Sequence, residues 1–345
     1  MASLQPACHR FCFYLLPAFS LKAYSSAVEV LRLANQVSGC DAYRWQVISD
    51  DGEPVVSNCG LSVCVDADLA FEREKARGSG FLSVVVVGGG NGALSRNRQL
   101  EAWLRESRSR GASLVGVGNG TMVLARAGLA KGRRCAVHWE QYPMFIEQFP
   151  EVVATQTAFE QDGELYTCPG GDTPFDLFLS LVGREHGAGV VTRIREKAMT
   201  CRIRSAGERQ RLPRHSDLHL SHKAVMGVID QMELSVSDPV PVEKLAASVG
   251  LSRRQVERLF QRELGCSPGR YFLELRLERA HLLLLSTRMP VVEIAMACGF
   301  VSASHFSKVY REIHGCAPHQ TRLPVQRSRH GRAAEPTSPL ASIQF

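Results

Sequence analysis

Val242-Glu-Lys-Leu-Ala-Ala-Ser-Val-Gly-Leu-Ser252 is a stretch that the chain repeats, as Val292-Glu-Ile-Ala-Met-Ala-Cys-Gly-Phe-Val-Ser302. Leu245-Ala246 and Gly250-Leu251 recur 49 residues later as Ile294-Ala295 and Gly299-Phe300, whereas the offset is 50 from the final serine onward, so the second turn is one residue longer. Each copy predicts a short helix, a turn at the glycine, and a serine that serves as N-cap of a second helix. The sequence therefore predicts two helix-turn-helix motifs.

The second helix of each motif has an apolar and a polar face. The apolar residues that we expect to pack inward are Val256, Leu259, Phe260, Phe306, Val309 and Tyr310. The polar residues that we expect to contact DNA are Ser252, Arg253, Arg254, Gln255, Arg258, Ser302, Ser304, His305 and Lys308. Such side chains hydrogen-bond base edges in a major groove or phosphates. A solvated helical bundle with ordinary surface arginines is the alternative, and the spaced pair of motifs argues against it.

The region around both motifs resembles the AraC-type DNA-binding domain. The resemblance covers His219 to Leu323 and rests on a long helix over Pro268–Ser286 containing Arg276-Leu-Glu-Arg-Ala280, on Gly299-Phe300, on Phe306, and on Gly315-x-x-Pro318. It implies two recognition helices that enter successive major grooves on one side of the duplex, so that one domain reads two half-sites. It further implies promoter DNA and RNA polymerase as partners.

Charge is unevenly distributed along the 345 residues, a length that suggests two domains. Residues 201–330 hold 20 Lys and Arg against 12 Asp and Glu, whereas residues 1–200 hold 20 against 21. The positive balance thus lies with the predicted DNA-binding region, as phosphate neutralisation requires. With 45% hydrophobic and 22% charged residues, the chain has the composition of an ordinary globular protein.

The eleven cysteines form no C-x-x-C pair and no even framework, which is typical of reduced thiols in the cytoplasm. Phe11 to Ala18 is too short for a signal peptide and is interrupted by Pro17. Since no run of 18 apolar residues occurs, we expect no membrane span and a cytoplasmic protein.

Strand-like and helix-like segments alternate in the N-terminal region. The predicted strands are Arg10–Leu16, Trp45–Ile48, Leu61–Val65, Phe81–Val87, Ser113–Val117, Val152–Thr155 and Glu164–Cys168. The predicted helices are Leu21–Asn35, Gln99–Arg110, Thr121–Ala127 and Thr173–Arg184. This alternation predicts an α/β doubly wound parallel-sheet domain, followed by the all-α domain with its two helix-turn-helix motifs.

Three glycine-containing loops follow predicted strands, at the edge where open α/β sheets bind ligands. They are Gly88–Gly92, Gly116–Gly120 and Cys168–Asp172. The first lacks the glycine spacing of a nucleotide-binding loop, and tight turns are the commoner reason for such glycines, so no cofactor is predicted.

The loop at Gly116–Gly120 has the strand–turn–helix arrangement of a nucleophile elbow. Together with the sequence that follows it, this loop resembles the PfpI-like branch of the class I glutamine-amidotransferase fold. The resemblance spans roughly residues 8 to 200. The segments that carry the resemblance are Leu124–Gly132, His138-Trp139, Gly88-Gly89 and Cys168–Gly171. Enzymes of that superfamily place a cysteine at the elbow with a histidine nearby. His138 matches the histidine, but Gly118 and Asn119 occupy the elbow and Cys135 lies outside it, so no catalytic residue is predicted.

The non-catalytic elbow is instead interpreted as an effector site. Its predicted residues are Gly89, Asn91, Gly118, Asn119, Gly120, Thr121, His138, Trp139 and Asp172. The amides that open the elbow helix suit a carboxylate, and Trp139, Glu140 and Asp172 suit a cationic end. We expect a side chain introduced at Gly120 to enter this site. The alternative is that Trp139 is a core residue and Asp172 only an N-cap.

The combination of the two resemblances implies a known bacterial subfamily of regulators of choline, glycine betaine, carnitine and arginine catabolism. It implies an activator whose effector is an amino acid or a quaternary amine. The predicted organisation is an effector-sensing domain over residues 8–200, a linker over 201–216, a DNA-binding domain over 217–325 and a disordered tail over 326–345.

Two alternatives stay open. One is a PfpI-type hydrolase or amidotransferase with a DNA-binding appendage. Another is an architectural DNA-binding protein whose N-terminal domain only forms a homodimer. A metal site at His215, His219 and His222 is disfavoured because no fourth ligand lies nearby in the sequence, and no metal is predicted.

Overall fold

The computed structural model describes residues 8–75, 83–89, 96–200, 202–210 and 223–322. The chain divides into two compact units between residues 217 and 218. The first is an α/β unit and the second is helical, as the sequence predicts.

A seven-stranded sheet organises the first unit. Its strands and those of two small sheets are β1 (His9–Leu15), β2 (Tyr43–Ser49), β3 (Val55–Val56), β4 (Ser62–Val63), β5 (Ala67–Asp68), β6 (Ser83–Val87), β7 (Ser113–Val117), β8 (Arg134–Ala136), β9 (Val153–Thr155), β10 (Glu160–Asp162) and β11 (Leu165–Cys168). The main sheet has the order β10-β11-β7-β6-β1-β2-β5. Its pairs are parallel except β10 with β11, which confirms the doubly wound parallel sheet.

Helices cover both faces of this sheet. They are α1 (Leu21–Ser38), α2 (Leu69–Lys75), α3 (Arg98–Ser109), α4 (Gly120–Arg126), α5 (Tyr142–Gln148), α6 (Thr173–His186) and α7 (Ala188–Lys197). In β6, Val85 and Val87 join the core under α1, α6 and α7, while Val84 and Val86 join the core under α3 and α4. A strand buried on both faces has no solvent side, which explains its uninterrupted valines.

The sequence-based assignment of strands was wrong in several places, and it omitted the short strands β3, β5 and β8. Only Ser62–Val63 of the predicted strand Leu61–Val65 is paired, in a hairpin with Val55–Val56 outside the main sheet. Leu61 is exposed there, although Val55 of the same hairpin is buried and Val63 packs against the core. The antiparallel strand Glu160–Asp162 was missed, because its polar side chains carry no apolar pattern.

The segment 202–210, predicted as linker, is hydrogen-bonded to the first unit. The Ala158 N–H donates to the Glu208 carbonyl at 2.6 Å, and the Gln210 N–H donates to the Gln156 carbonyl at 2.8 Å. Arg204 donates to Asp176 through its guanidinium at 3.0 Å and through its backbone N–H at 3.1 Å. These residues therefore extend the α/β unit. Residues 211–216 of the predicted linker and the predicted tail lie outside the described ranges.

The second unit contains two helix-turn-helix motifs, a helix that joins them, and one further helix at each end of its described range. Its helices are α8 (Lys223–Leu234), α9 (Val242–Ser248), α10 (Arg253–Leu264), α11 (Pro268–Ser286), α12 (Val291–Ala297), α13 (Ala303–His314) and α14 (Pro318–Thr321). The joining helix α11 has the predicted bounds. Its first half packs into a core with α8, α9 and α10, and its second half into a core with α12 and α13.

The turn of the second motif also contacts the first half of this unit. Gly299 has a φ of +73°, and a Cβ atom there would lie 2.6 Å from the Val236 carbonyl oxygen and 2.7 Å from the Pro239 ring. Arg276 on α11 donates to the carbonyls of Cys298 at 2.8 Å and Gly299 at 2.6 Å. These contacts hold the turn between α11 and the loop after α8.

Candidate DNA-binding face and effector site

The first recognition helix, α10, begins at Ser252 with a capping box. The Ser252 hydroxyl accepts from the Gln255 N–H at 3.4 Å, and the Gln255 side-chain oxygen accepts from the Ser252 N–H at 2.8 Å. All five residues predicted to contact DNA are exposed, namely Ser252, Arg253, Arg254, Gln255 and Arg258. The three predicted inner residues, Val256, Leu259 and Phe260, are buried.

The arginines of α10 differ in their surroundings. Arg253 contacts Glu257 at 2.7 Å and Glu243 at 2.5 Å, and the hydrogen bonds that it donates to these carboxylates raise its pKa. For Arg254 and Arg258, the described part of the chain supplies no ion-pair partner. The guanidinium groups of Arg254 and Arg258 can therefore bind DNA without first breaking an ion pair with a described carboxylate.

The second recognition helix, α13, presents a less charged face. Ser302 caps it by accepting from the His305 N–H at 3.3 Å. Ser302, Ser304, His305 and Lys308 are exposed, as predicted. Phe306 and Tyr310 are buried, and Val309 is half-buried at the edge of the core.

Tyr310 fixes α13 to its neighbours through a short polar chain. His281 Nδ1 lies 2.6 Å from the Tyr310 hydroxyl, which lies 3.0 Å from the Thr321 hydroxyl. The rings of His281 and His314 are stacked at 4.8 Å. Burial lowers the pKa of His281, because the charged imidazolium loses solvation there.

The elbow of the first unit keeps its sharp turn without a nucleophile. Gly118 has a φ of +57°, and its N–H donates to the Cys168 carbonyl at 2.9 Å. A Cβ atom at Gly118 would lie 3.0 Å from the Gly88 carbonyl oxygen, and one at Gly170 would lie 3.7 Å from the Gly118 Cα. The structure thus brings the second and third predicted glycine loops together with Gly88, the start of the first.

The prediction that a side chain at Gly120 would enter the effector site was wrong. A Cβ atom there would lie 1.9 Å from the Val86 carbonyl oxygen, so it would collide with the sheet. Asn119 and Thr121 are buried, and the Thr121 N–H donates to the Gly118 carbonyl at 3.2 Å. Gly89 is similarly confined, since its Cβ would meet the Ala18 carbonyl. Asn91 lies outside the described ranges.

His138 and Trp139 are half-buried and are held by the segment that was predicted as linker. The Gln210 side-chain nitrogen donates to the Val137 carbonyl at 2.7 Å and to the Thr157 carbonyl at 3.1 Å. The Gln210 side-chain oxygen accepts from the Trp139 N–H at 3.0 Å. Sequence reasoning missed Gln210, because a polar residue in a polar stretch carries no sign of a distant partner.

The polar residues proposed for a cationic end have partners of their own. Asp172 lies 2.8 Å from the Lys22 ammonium, and both side chains are more than half exposed. His138 Nδ1 lies 3.7 Å from Glu140. Burial lowers the pKa of His138, although the Glu140 charge opposes this, so burial favours the neutral imidazole.

Cys135 and Cys168 are buried thiols of the α/β unit. Burial raises the pKa of Cys135 to about 12 and that of Cys168 to about 12. A thiol with such a pKa is a poor nucleophile at pH 7. Cys59 is the contrasting case, because it is exposed and a hydrogen bond with Ser57 lowers its pKa.

Two further observations concern the described residues. They contain no cluster of His, Cys, Asp or Glu suited to a metal ion, and the three histidines around His219 lie outside them. Within the same ranges, no helix has the length and apolarity that crossing a membrane requires.

Comparison with known proteins identifies the two units. Residues 245–323 match the helix-turn-helix domain family, and residues 9–184 match the DJ-1/PfpI family. The HTH-type transcriptional regulator GbdR of Pseudomonas aeruginosa is 41% identical over 311 residues, which cover 90% of this chain and 83% of that protein. The HTH-type transcriptional regulator CdhR of the same species is 39% identical over 92% of this chain and 93% of that protein.

A solved structure resembles this chain over part of its length. An AraC family transcriptional regulator from Pseudomonas putida superimposes with a TM-score of 0.50 and 28% identity. The match covers 55% of this chain and 99% of that chain.

Proposed function

This chain belongs to the AraC-type transcriptional regulators that carry a DJ-1/PfpI domain, and from that premise we propose how its two units divide the work. The helical unit binds a promoter in a sequence-specific way. The α/β unit binds a small polar metabolite, an amino acid or a quaternary amine, and the bound protein activates transcription of catabolic genes.

The observation that carries the DNA-binding role is the pair of capped helices with exposed polar faces. Arg254 and Arg258 on α10 and Lys308 on α13 provide the charge, and hydroxyl and imidazole groups provide further donors. The test is a selection of duplexes from a random pool with the full chain, followed by gel-shift titration. We expect the selected duplex to bind more tightly than its scrambled version, and equal affinities would contradict sequence-specific binding.

The observation that carries the sensing role is an elbow that keeps its turn but has Gly118 in place of a nucleophile. Cys135 is buried and its pKa is raised to about 12, so the loop cluster is retained without a thiol nucleophile at the elbow. The alternative of a PfpI-type enzyme predicts hydrolysis of esters, amides or peptides that alkylation at Cys135 abolishes. We expect no such turnover.

The effector class follows from the resemblance and is supported by Trp139, whose ring suits a cation. A thermal-shift panel of amino acids and quaternary amines tests it, because a ligand that binds only the folded state raises the unfolding temperature. We expect Trp139→Leu to lose the shift. Trp45→Leu is the matched control, since Trp45 is also half-buried in the same unit. A shift retained in Trp139→Leu would place the cationic end elsewhere.

The remaining partners follow from the same role. An activator bound at a promoter contacts RNA polymerase, and in bacteria it works in the cytoplasm with the chromosome. The α/β unit is the candidate surface for a homodimer. Sedimentation of the full chain, with and without promoter DNA, tests the dimer.

A further inference from the structure

We infer that Val301 is a specificity-determining residue that contacts the 5-methyl group of a thymine in the second half-site. The inference deepens the proposed DNA-binding role and rests on it. The two helix-turn-helix motifs of this chain differ by one residue in their turns.

Val301 is the residue by which the second turn is longer than the first. In the first turn the N–H groups of Gly250 and Leu251 donate to the carbonyls of residues 247 and 246, at 3.0 Å each. In the second turn Gly299 and Phe300 donate to residues 296 and 295, at 2.8 and 2.9 Å. The two turns are therefore equivalent up to this point. Ser252 follows at once as N-cap in the first, whereas Val301 precedes the N-cap in the second.

The side chain of Val301 is fully exposed, although its neighbour Phe300 is buried. Single exposed apolar residues are common and need no explanation by themselves. Val301 differs from them by its position, because it directly precedes Ser302 at the amino-terminal end of α13. In helix-turn-helix proteins this end of the recognition helix contacts base edges. The inserted residue thus lies at the end of the helix that faces the bases.

The chemistry of Val301 selects one feature of the major groove. Its isopropyl side chain has no hydrogen-bond donor or acceptor, so it cannot recognise the donors and acceptors of a base pair. The 5-methyl group of thymine is the apolar group in that groove, and aliphatic side chains contact it. Val301 would recognise thymine by an apolar contact, whereas the neighbouring Ser302, Ser304 and His305 offer only polar groups.

The test uses the full chain and a duplex selected from a random pool. Each thymine of that duplex is replaced in turn by deoxyuracil, which lacks only the 5-methyl group. We expect one replacement to weaken binding about three- to five-fold, the effect of losing one buried methyl-sized group. Val301→Ala should weaken binding to the thymine duplex by a similar factor and should no longer distinguish uracil from thymine at that position.

Val153→Ala is the matched control, because it removes the same methyl groups from an exposed valine of the α/β unit. It should keep the sensitivity to uracil. A protein indifferent to uracil at every position overturns the inference, and so does a Val301→Ala variant that keeps the wild-type sensitivity. Failure to enrich any duplex would instead contradict the proposed DNA-binding role, so the two failures are distinguishable.

Discussion

Gly299→Ala should destabilise the helical unit more than Gly250→Ala does. Both glycines lie at the turn of a helix-turn-helix motif, with φ values of +73° and +70°. An alanine in this left-handed region costs about 1–2 kcal/mol at either position. At Gly250 the new Cβ meets nothing within 4 Å, whereas at Gly299 it would lie 2.6 Å from the Val236 carbonyl oxygen. Overpacking of this kind adds about 1–3 kcal/mol.

Urea unfolding of the full chain measures the difference. Far-ultraviolet circular dichroism reports on the helices of both units, while tryptophan fluorescence reports on the α/β unit alone, which contains Trp45, Trp103 and Trp139. The circular-dichroism transition that fluorescence does not share is therefore that of the helical unit. We expect Gly299→Ala to lower the free energy of unfolding of the helical unit by about 1–3 kcal/mol more than Gly250→Ala. The fluorescence transition should not move. Equal losses in the two variants would refute the idea that the second turn is wedged against the loop after α8.

Three further predictions concern charge, thiols and pH. Arg254→Ala and Arg258→Ala should each weaken binding to the selected duplex by about 1–3 kcal/mol in gel-shift titrations, and equal losses on scrambled DNA would make them phosphate contacts. Iodoacetamide should modify Cys59 well before Cys135, because Cys59 is exposed with a lowered pKa and Cys135 is buried with a pKa of about 12. Peptide mass mapping measures the order of modification, and early modification of Cys135 would contradict its burial. Burial lowers the pKa of His281 below its ordinary value of 6.5, so protonation of this histidine favours the unfolded chain. The stability that the neutral His281 contributes is therefore complete above pH 6.5 and is lost as the pH falls below it. Urea unfolding followed by circular dichroism at about pH 5 and about pH 7.5 should show a smaller loss in His281→Gln, and an unchanged loss would assign the effect to other groups.

The helical unit was predictable from the sequence because the chain contains two copies of the same pattern. The assignment of one copy supports the same assignment of the other. Ser252 and Ser302 mark the starts of the helices, because each accepts a local hydrogen bond as N-cap. The sheet was predictable where burial is complete, as at Val84–Val87. Local signals of this kind need no knowledge of distant partners.

Other features depend on contacts between residues far apart in the sequence. What a side chain at Gly120 would meet depends on the path of β6. The sequence suggested a ligand at that place, but the structure has the Val86 carbonyl there. The polar composition of residues 202–210 is typical of a linker, but hydrogen bonds to residues 156 and 158 make it part of the sheet unit. Lys22 was not recognised as the partner of Asp172, because 150 residues separate them.

The position of Gln210 has a thermodynamic consequence. Its side chain holds the backbone at Val137 and Trp139, and only residues 211–222 separate it from α8. If an effector moves Trp139, it also moves the residue from which the chain leaves toward the DNA-binding helices. Any such coupling is reciprocal, because the factor by which effector changes DNA affinity equals the factor by which DNA changes effector affinity. The promoter is then itself a ligand that adjusts how sensitively the protein detects its metabolite.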